Sequence, residues 1–352
     1  MLEGRGDERM GDALDGLEVE VDIRLVRDGE IILDGRLAEL LKAVSRTGSL
    51  LAAAKLIGIP YSRAWRSITS LERKLGRSII APRRGGKYGG GTTLTEEGKK
   101  LLSAYEKAEK ELGVVRRSVE RAFERPDLLV AGSHDLLLER AVGRLRGRRV
   151  EVHWIGSYGG LLSMMMGDAD ISGIHLLDAA SGKYNEPIVR RLFPAGGVSL
   201  LRGYDREIGW AMRRGKEFDQ TDLLEGKVIL ANRNRGSGTR LLLDSILSRL
   251  AEEMGIEPKE LRDRVRGYNT EFFTHTDACR AVAEGRADVT LTIRSVAEIY
   301  GLKFVPIGWE RYDLVVSERV KEDLLESLLD AIRAEKPPAG YRVGDDLGRK
   351  IF

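Results

Sequence analysis

Asn232-Arg233-Asn234-Arg235-Gly236-Ser237-Gly238-Thr239 sets two arginines beside a Gly/Ser helix start. Guanidinium groups offer charge and donors to an oxyanion. A helix start adds unpaired backbone N–H groups and roughly half a positive charge. The same grammar of apolar run, small polar residue and helix recurs at Ser133-His134 and at Ser157-Tyr158. Several such starts converging on one cleft make an anion site without a metal. The hydroxyls of Ser133, Ser157, Ser237 and Thr239 supply further donors, and Gly236 and Gly238 let the backbone approach closely. His134 and His275 each stand at an expected helix start, where a protonated ring attracts an anion and a neutral one donates a single hydrogen bond. The bland alternative for all of these residues is turns and caps. No Gly-Lys-Ser/Thr follows the glycines, so the segment is not a Walker A loop.

Other chemistries find less support. The single Cys279 excludes an intramolecular disulfide and a Cys-rich zinc site. The four histidines show no metal-ligand spacing, and no Ser/His/Asp arrangement or carboxylate pair stands out. Asp168 and Asp170 read as a turn, and Met164 to Met166 as helical core. Cys279 lies four residues after His275, and a transferase that attaches its cofactor through this thiol is the enzymatic alternative. A buried inert thiol is the commoner role. The expectation is a non-enzyme without a cofactor.

A second constellation lies near the N-terminus. Thr47 to Trp65 reads TGSLLAAAKLIGIPYSRAW. Ala52, Ala53 and Ala54 allow two helices to cross closely, Gly58 supplies a turn, and Ile59 plugs the space between. This is helix-turn-helix spacing, in which the second helix enters the major groove with its first side chains leading. Those side chains are Tyr61, Ser62, Arg63 and Arg66, with Ser49 at the start of the preceding helix. Trp65, Ile68 and Leu71 fall on the core side. Arg83, Arg84 and Lys87 belong to a Gly-rich hairpin placed to reach phosphate or the minor groove. Residues 36–126 hold 20 Lys/Arg against 9 Asp/Glu, whereas residues 1–35 hold 4 against 11. A basic surplus in one segment is the footprint of a phosphate-backbone binder.

The elements that must position these residues follow from periodicity. Residues 1–17 read as a disordered tail, with no apolar core of a secretory signal. Residues 18–33 alternate around Arg27-Asp28-Gly29-Glu30, a hairpin signal. Helices are expected over Gly35–Arg46, Ser49–Gly58 and Tyr61–Leu75, then strands around the glycines, then a long charged helix over Glu96–Phe123. Pro126 marks the boundary, giving a head over 18–125 and a second domain over 126–352. From Asp127 strands and helices alternate (DLLVAG, VEVHWIG, KVILAN, ADVTLTI, LKFVPIG), which implies an α/β domain with parallel strands. Two chain crossings divide it into lobe one (127–201 plus 312–352) and lobe two (202–311). At 352 residues, 42% apolar and 32% charged, with no charge-free apolar run near 18 residues, a membrane span is not expected.

TGS-x-x-AAA, Y-S-x-AW, LGR and the glycine wing ending in LTEEG carry a family resemblance. Over Val19 to Glu111 the chain resembles the DNA-binding domain of molybdate-responsive ModE-type regulators, related to LysR-type winged helices. Lys87 and Tyr88 interrupt the glycines of the wing. The remainder resembles the type II periplasmic-binding-protein-like (PBP-like) domain found fused to such heads, similar in outline to transporter molybdate-binding proteins. The matching stretches are GSHD (132–135), GSYGGLLSMMMGDADISGIHLLD (156–178), NRNRGSGTR (232–240), THTDACRAVAEGRADVTLTI (274–293) and ERYDLVVSE (310–318).

The resemblance implies an N-terminal winged helix-turn-helix (α+β) followed by a two-lobed α/β domain, dimerisation through the N-terminal strands and the long helix, and molybdate or tungstate as ligand. The expected function is a cytoplasmic transcriptional regulator, a homodimer that binds a double-stranded DNA operator and senses a small oxyanion by lobe closure. The alternatives are a cytoplasmic anion-binding or storage protein, and a regulator of the same architecture that senses another small ligand.

Overall fold

The computed structural model describes residues 23–86, 89–112, 126–178, 180–257 and 260–352. The expected acidic tail, the wing-tip residue Lys87 and the end of the long charged helix lie outside the described residues.

The head opens with a hairpin, β1 (Leu25–Arg27) and β2 (Glu30–Leu33). Its turn places Asp28 at φ 53° and Gly29 at φ 79°. A two-residue turn that matches strand twist needs both residues in this region, and Asp-Gly tolerates it. Helix α1 (Gly35–Thr47) starts on the Asp34 side chain, which accepts from Leu37 N at 2.8 Å, and ends at left-handed Gly48. Helix α2 (Leu50–Leu56) starts on Ser49 and α3 (Tyr61–Leu75) follows Pro60. Ala52, Ala53 and Ala54 are buried where these helices cross. The wing is β3 (Ile80–Gly86) with β4 (Gly89–Leu94), and α4 (Glu96–Glu111) begins on the Thr95 hydroxyl.

The second domain runs β5 (Leu128–Gly132), α5 (Leu136–Gly143), β6 (Val150–Trp154), α6 (Ser157–Met165), β7 (Ile171–Ile174), α7 (Glu186–Leu192) and β8 (Val198–Met212). It continues with α8 (Thr221–Leu224), β9 (Asn232–Arg233), α9 (Gly238–Glu253), α10 (Leu261–Arg264), β10 (Glu271–Phe272) and α11 (His275–Ala283). The last elements are β11 (Val289–Ile293), α12 (Arg294–Ile299), β12 (Lys303–Ser317), α13 (Glu322–Ala334) and β13 (Tyr341–Arg342).

One sheet has the order β11-β8-β12-β7-β5-β6, with β13 also on β8. Only β5, β6 and β7 are mutually parallel, and β8, β11 and β12 pair antiparallel. The expectation of a parallel sheet therefore holds for the outer part of lobe one and fails at the spine. The expected lobe crossings at 201/202 and 311/312 fall inside β8 and β12. These two 15-residue strands run side by side from Val198↔Ser317 to Met212↔Lys303. LKFVPIG and ERYDLVVSE are one strand, because register shifts at Pro306/Gly308 and Tyr312/Leu314 absorb what reads in sequence as a break.

The head core and part of lobe one form a single apolar cluster. Leu41, Leu51 and Tyr61 belong to it, as do Leu161, Met164 and Leu176. A separate cluster around Trp210, Leu247 and Leu291 fills lobe two.

Candidate functional site

The paired strands β8 and β12 set Arg206 directly opposite Glu310. Arg206 shares a strand face with Tyr204 and Ile208, so alternation turns its guanidinium into the protein. It donates to Asp135 Oδ2 (2.8 Å), to the His134 carbonyl (3.2 Å) and to Glu310. Tyr204 and Tyr341 also donate to Asp135, at 2.5 and 2.8 Å. Glu310 Oε2 lies 2.8 Å from His175 Nδ1, and His175 Nε2 lies 2.8 Å from Ser133 Oγ. All of these side chains are buried. Burial pushes the Glu310 carboxyl upward, but His175 and Arg206 together outweigh it and hold the pKa at about 2. Burial also holds His175 below its usual range, against the pull of Glu310.

Lobe two brings Arg233 against this network. The Arg233 side chain is 1% exposed; its Nε donates to the Phe272 carbonyl at 3.2 Å and its Nη2 to the Phe273 carbonyl at 2.9 Å. Its Nη1 has no partner, and among the described residues no carboxylate lies within salt-bridge distance of it. Burial, and then the neighbouring Arg206, lower its pKa to about 10. His275 sets Nδ1 3.0 Å from Thr292 Oγ1 and leaves Nε2 without a partner. Burial first, then Arg233 and Arg206, hold this imidazole well below its ordinary value. His134, from lobe one, faces it with ring centroids 6.3 Å apart, and its Nδ1 also lacks a partner. Asn234 Oδ1, Thr239 Oγ1 and Arg206 Nε are likewise unpaired. Buried polar groups are ordinarily satisfied, and the unpaired ring nitrogens of His134 and His275 stand close together across the two lobes.

The lobes touch around this place. Tyr158 N donates to the Gly236 carbonyl at 3.0 Å. Gly238, the first residue of α9, lies so close to His175 that a Cβ would run into the His175 carbonyl oxygen. Gly156 packs in the same way against the Asn234 side chain.

The head meets lobe one through Asp168. Its Oδ1 accepts from Thr92 Oγ1 at 3.0 Å, and its Oδ2 accepts from Leu51 N at 3.3 Å. Lys55 pairs with Glu151 at 2.8 Å on the same side. Arg63 and Arg66 on α3 are exposed, Ser62 is half-buried, and Arg63, Arg66, Ser67, Ser70 and Lys74 line one groove.

Residues 138–333, more than half of the chain, match the PBP superfamily domain. The chain belongs to the PBP superfamily. Residues 36–99 match the bacterial regulatory helix-turn-helix protein, lysR family. The chain is 30% identical over 220 residues to the uncharacterized protein YvgK of Bacillus subtilis, covering 60% of this chain and 67% of YvgK. It is 37% identical over 84 residues to the molybdenum-pterin-binding protein MopB of Rhodobacter capsulatus, covering 24% of this chain and 31% of MopB. It is 31% identical over 90 residues to the DNA-binding transcriptional dual regulator ModE of Escherichia coli, covering 26% of this chain and 34% of ModE. The chain thus spans about a third of the length of MopB and ModE. It carries a lysR-family helix-turn-helix match in its head, followed by a PBP superfamily domain.

Within the PBP-superfamily part, the expected ligand residues divide into three groups. Arg233, His275, His134 and Thr239 are buried and present unpaired polar atoms. Ser133, Ser157, Asn232 and Ser237 are buried but engaged: Ser133 with His175, Ser157 accepting from His175 N, Asn232 with Arg233 N and the Tyr268 carbonyl, and Ser237 capping Arg240 N. They position the site. Gly236 and Gly238 contribute backbone at the lobe contact. Two expected residues stand apart from these groups. Arg235 is exposed and faces Glu271 at 3.5 Å, because Gly236 at φ 86° turns the chain between it and α9. Tyr158 is half-exposed and lines an outer groove of about 460 Å³ with Asp178, Arg191 and Leu241. The helix start expected at Ser133 is also displaced, since Asp135 caps α5.

The head needs two corrections. The Ser49 hydroxyl is buried and accepts from Ala52 N as a cap, so it does not face a duplex. Tyr61 is 3% exposed, and its ring lies beside Asp168 rather than at the surface. Arg83 and Arg84 lie on β3.

Sequence reading passed over Arg206, Glu310, Asp135 and the interdomain role of Asp168. A faint signal existed: Arg206 and Glu310 each occupy an inward position in an alternating strand, beside Tyr204 and Tyr312. Cys279 is buried, and burial raises its thiol to about 12, so it is protonated and a poor nucleophile near neutrality.

Proposed function

We propose that this chain is a cytoplasmic one-component transcriptional regulator whose PBP-like domain binds a small oxyanion and whose head binds an operator duplex. The observation that carries the reading is Arg233: a buried guanidinium held by two carbonyls, with a free Nη1 where the lobes meet. A buried cation without a counter-charge is costly unless a ligand supplies one. The neighbouring unpaired atoms of His134, His275 and Thr239 suit the several oxygens of a tetrahedral anion.

Molybdate or tungstate is the ligand favoured by the relatives. ModE and MopB are named for regulation and for molybdenum-pterin binding, and their similarity to this chain covers only a stretch of about 90 residues. The head supports the DNA half of the reading through the exposed Arg63 and Arg66 on α3 and the paired strands of the wing. A duplex-binding head acts in the compartment that holds the chromosome, and no helix among the described residues is long and apolar enough to cross a membrane. We read the working form as a homodimer on an operator of two half-sites.

Thermal unfolding with added oxyanion tests the ligand. A ligand at about a hundred times its Kd stabilises the folded chain by about 2.7 kcal/mol. Molybdate or tungstate raises the melting temperature of the native chain and leaves Arg233→Gln unmoved. Equal response of the two proteins refutes the assignment.

A further inference from the structure

We propose that binding of an oxyanion dianion in this cleft is accompanied by uptake of a proton on His275, so that the domain reads anion and pH together. This deepens the oxyanion reading and rests on it.

His275 opens α11 in lobe two, faces His134 from the β5–α5 turn of lobe one, and presents an unpartnered Nε2. On its other side Nδ1 meets Thr292 Oγ1, which Cys279 Sγ also approaches at 3.5 Å. A neutral ring satisfies one nitrogen with Thr292 and leaves the other for the ligand; a protonated ring donates from both.

Charge comes next. The groups around the ring are Arg233 from β9, Arg206 from β8, His134 beside α5 and His175 at the end of β7. On α11 itself, Asp277 is bonded to Thr274 Oγ1 at 2.6 Å and paired with Arg280. On β12, Glu310 faces Arg206 and His175. Asp135 and Glu310 both pair with Arg206, so the fixed formal charges sum to zero although Arg233 itself has no carboxylate in contact among the described residues. A dianion therefore enters a buried site whose fixed charges already sum to zero. In a low-dielectric interior, two uncompensated negative charges are far more costly than in water.

Three imidazoles lie close enough to help. His175 is held at both nitrogens, by Ser133 and Glu310. His134 lies 3.8 Å from the half-exposed Glu139, which already offers a counter-charge. His275 has no carboxylate within salt-bridge distance among the described residues. Without an anion the two arginines and burial oppose its protonation. A dianion at Nε2 reverses the sign of the nearest charge. His275 combines an unpartnered ring nitrogen with no carboxylate at hand, so its charged form gains the most when the ligand supplies a negative charge.

Titration calorimetry of the full chain with molybdate, tungstate and sulfate, near neutral pH, tests this in buffers of different ionisation enthalpy. All three anions are fully deprotonated there, so any proton taken up goes to the protein. The expected result is an enthalpy that varies with the buffer and corresponds to about one proton per anion, with affinity falling about tenfold per pH unit above neutrality. In His275→Gln the buffer dependence disappears while weaker binding of the same anion persists. Ring-nitrogen spectra of histidine-labelled protein show one imidazole becoming doubly protonated on binding, and that signal is missing in His275→Gln. Binding with a buffer-independent enthalpy overturns the proton uptake and leaves the oxyanion site standing. Binding of none of the three anions by the native chain overturns the oxyanion reading and this inference with it.

Discussion

The Asp168 carboxylate, at the foot of β7, accepts a hydrogen bond from the backbone N–H of Leu51 at the start of α2. A residue of the PBP-like domain thereby acts as an N-terminal charge on a helix of the head, where Ser49 already caps Ala52 N. Its other oxygen accepts from Thr92 of the wing, and its charge acts on the buried Tyr61 at the start of α3. One carboxylate therefore bonds two head elements, α2 and the wing strand β4.

Asp168→Ala is expected to loosen this contact. Leaving the buried Leu51 N–H and the Thr92 hydroxyl unpaired costs about 1–3 kcal/mol. The melting temperature falls, and operator binding in the absence of anion tightens as Tyr61 and the start of α3 are released. A variant that melts lower but binds the operator with unchanged affinity shows the contact to be structural only.

Arg63→Ala and Arg66→Ala are expected to weaken operator binding, each by about 1–3 kcal/mol if the arginine reads a base edge, or with a loss of about one unit of salt slope if it contacts phosphate. Anion affinity stays as in the native chain, since both residues are exposed on α3, apart from the cleft. Fluorescence anisotropy over a salt series separates the two cases, and unchanged duplex affinity in both variants contradicts α3 as the reading helix.

Gly238→Ala places a methyl group against the His175 carbonyl, where the lobes are in contact. Closure then requires a shift of α9 or of the end of β7. Anion affinity is expected to fall at least about tenfold, or about 1.4 kcal/mol, while operator binding by the anion-free protein is unchanged. Native affinity in this variant means the ligand does not need the closed arrangement.

Stability should depend on pH with a definite sign. Burial, chiefly, holds His175 and His275 below their ordinary values, so the unfolded chain takes up protons near pH 6.5 that the folded chain refuses. Stability is therefore complete above about pH 6.5 and declines as pH falls below it, by up to about 1.4 kcal/mol per unit for each ring. Glu310, held at about 2, adds a contribution present above its usual carboxylate range and lost as pH falls toward that value. Denaturant midpoints across this range check the sign, and His275→Gln removes part of the slope. A midpoint that rises on acidification contradicts it.

The head was legible because its signals are local. Ser49, Gly58 and Pro60 punctuate α2 and α3, and Asp28-Gly29 forces the hairpin turn. Thr239 and His275 were legible as residues of helix starts because their own segments announce α9 and α11. Arg235 stands apart from Arg233 because Gly236 turns the chain, which sequence spacing does not reveal. Arg206 and Glu310 are more than a hundred residues apart and meet only through the register of β8 on β12. Asp168 reads as a turn residue in its own segment, and its role exists only when the head is packed against lobe one.

The central claim is that an oxyanion held by Arg233 changes how the head binds DNA. Its most direct test is the affinity of the full chain for its operator duplex, titrated with molybdate or tungstate, for the native protein and Arg233→Gln. The expected result is a shift of about 5- to 150-fold in the native chain, as a coupling of 1–3 kcal/mol requires, and none in the variant. An operator affinity that stays constant while the native chain is saturated with anion contradicts the account.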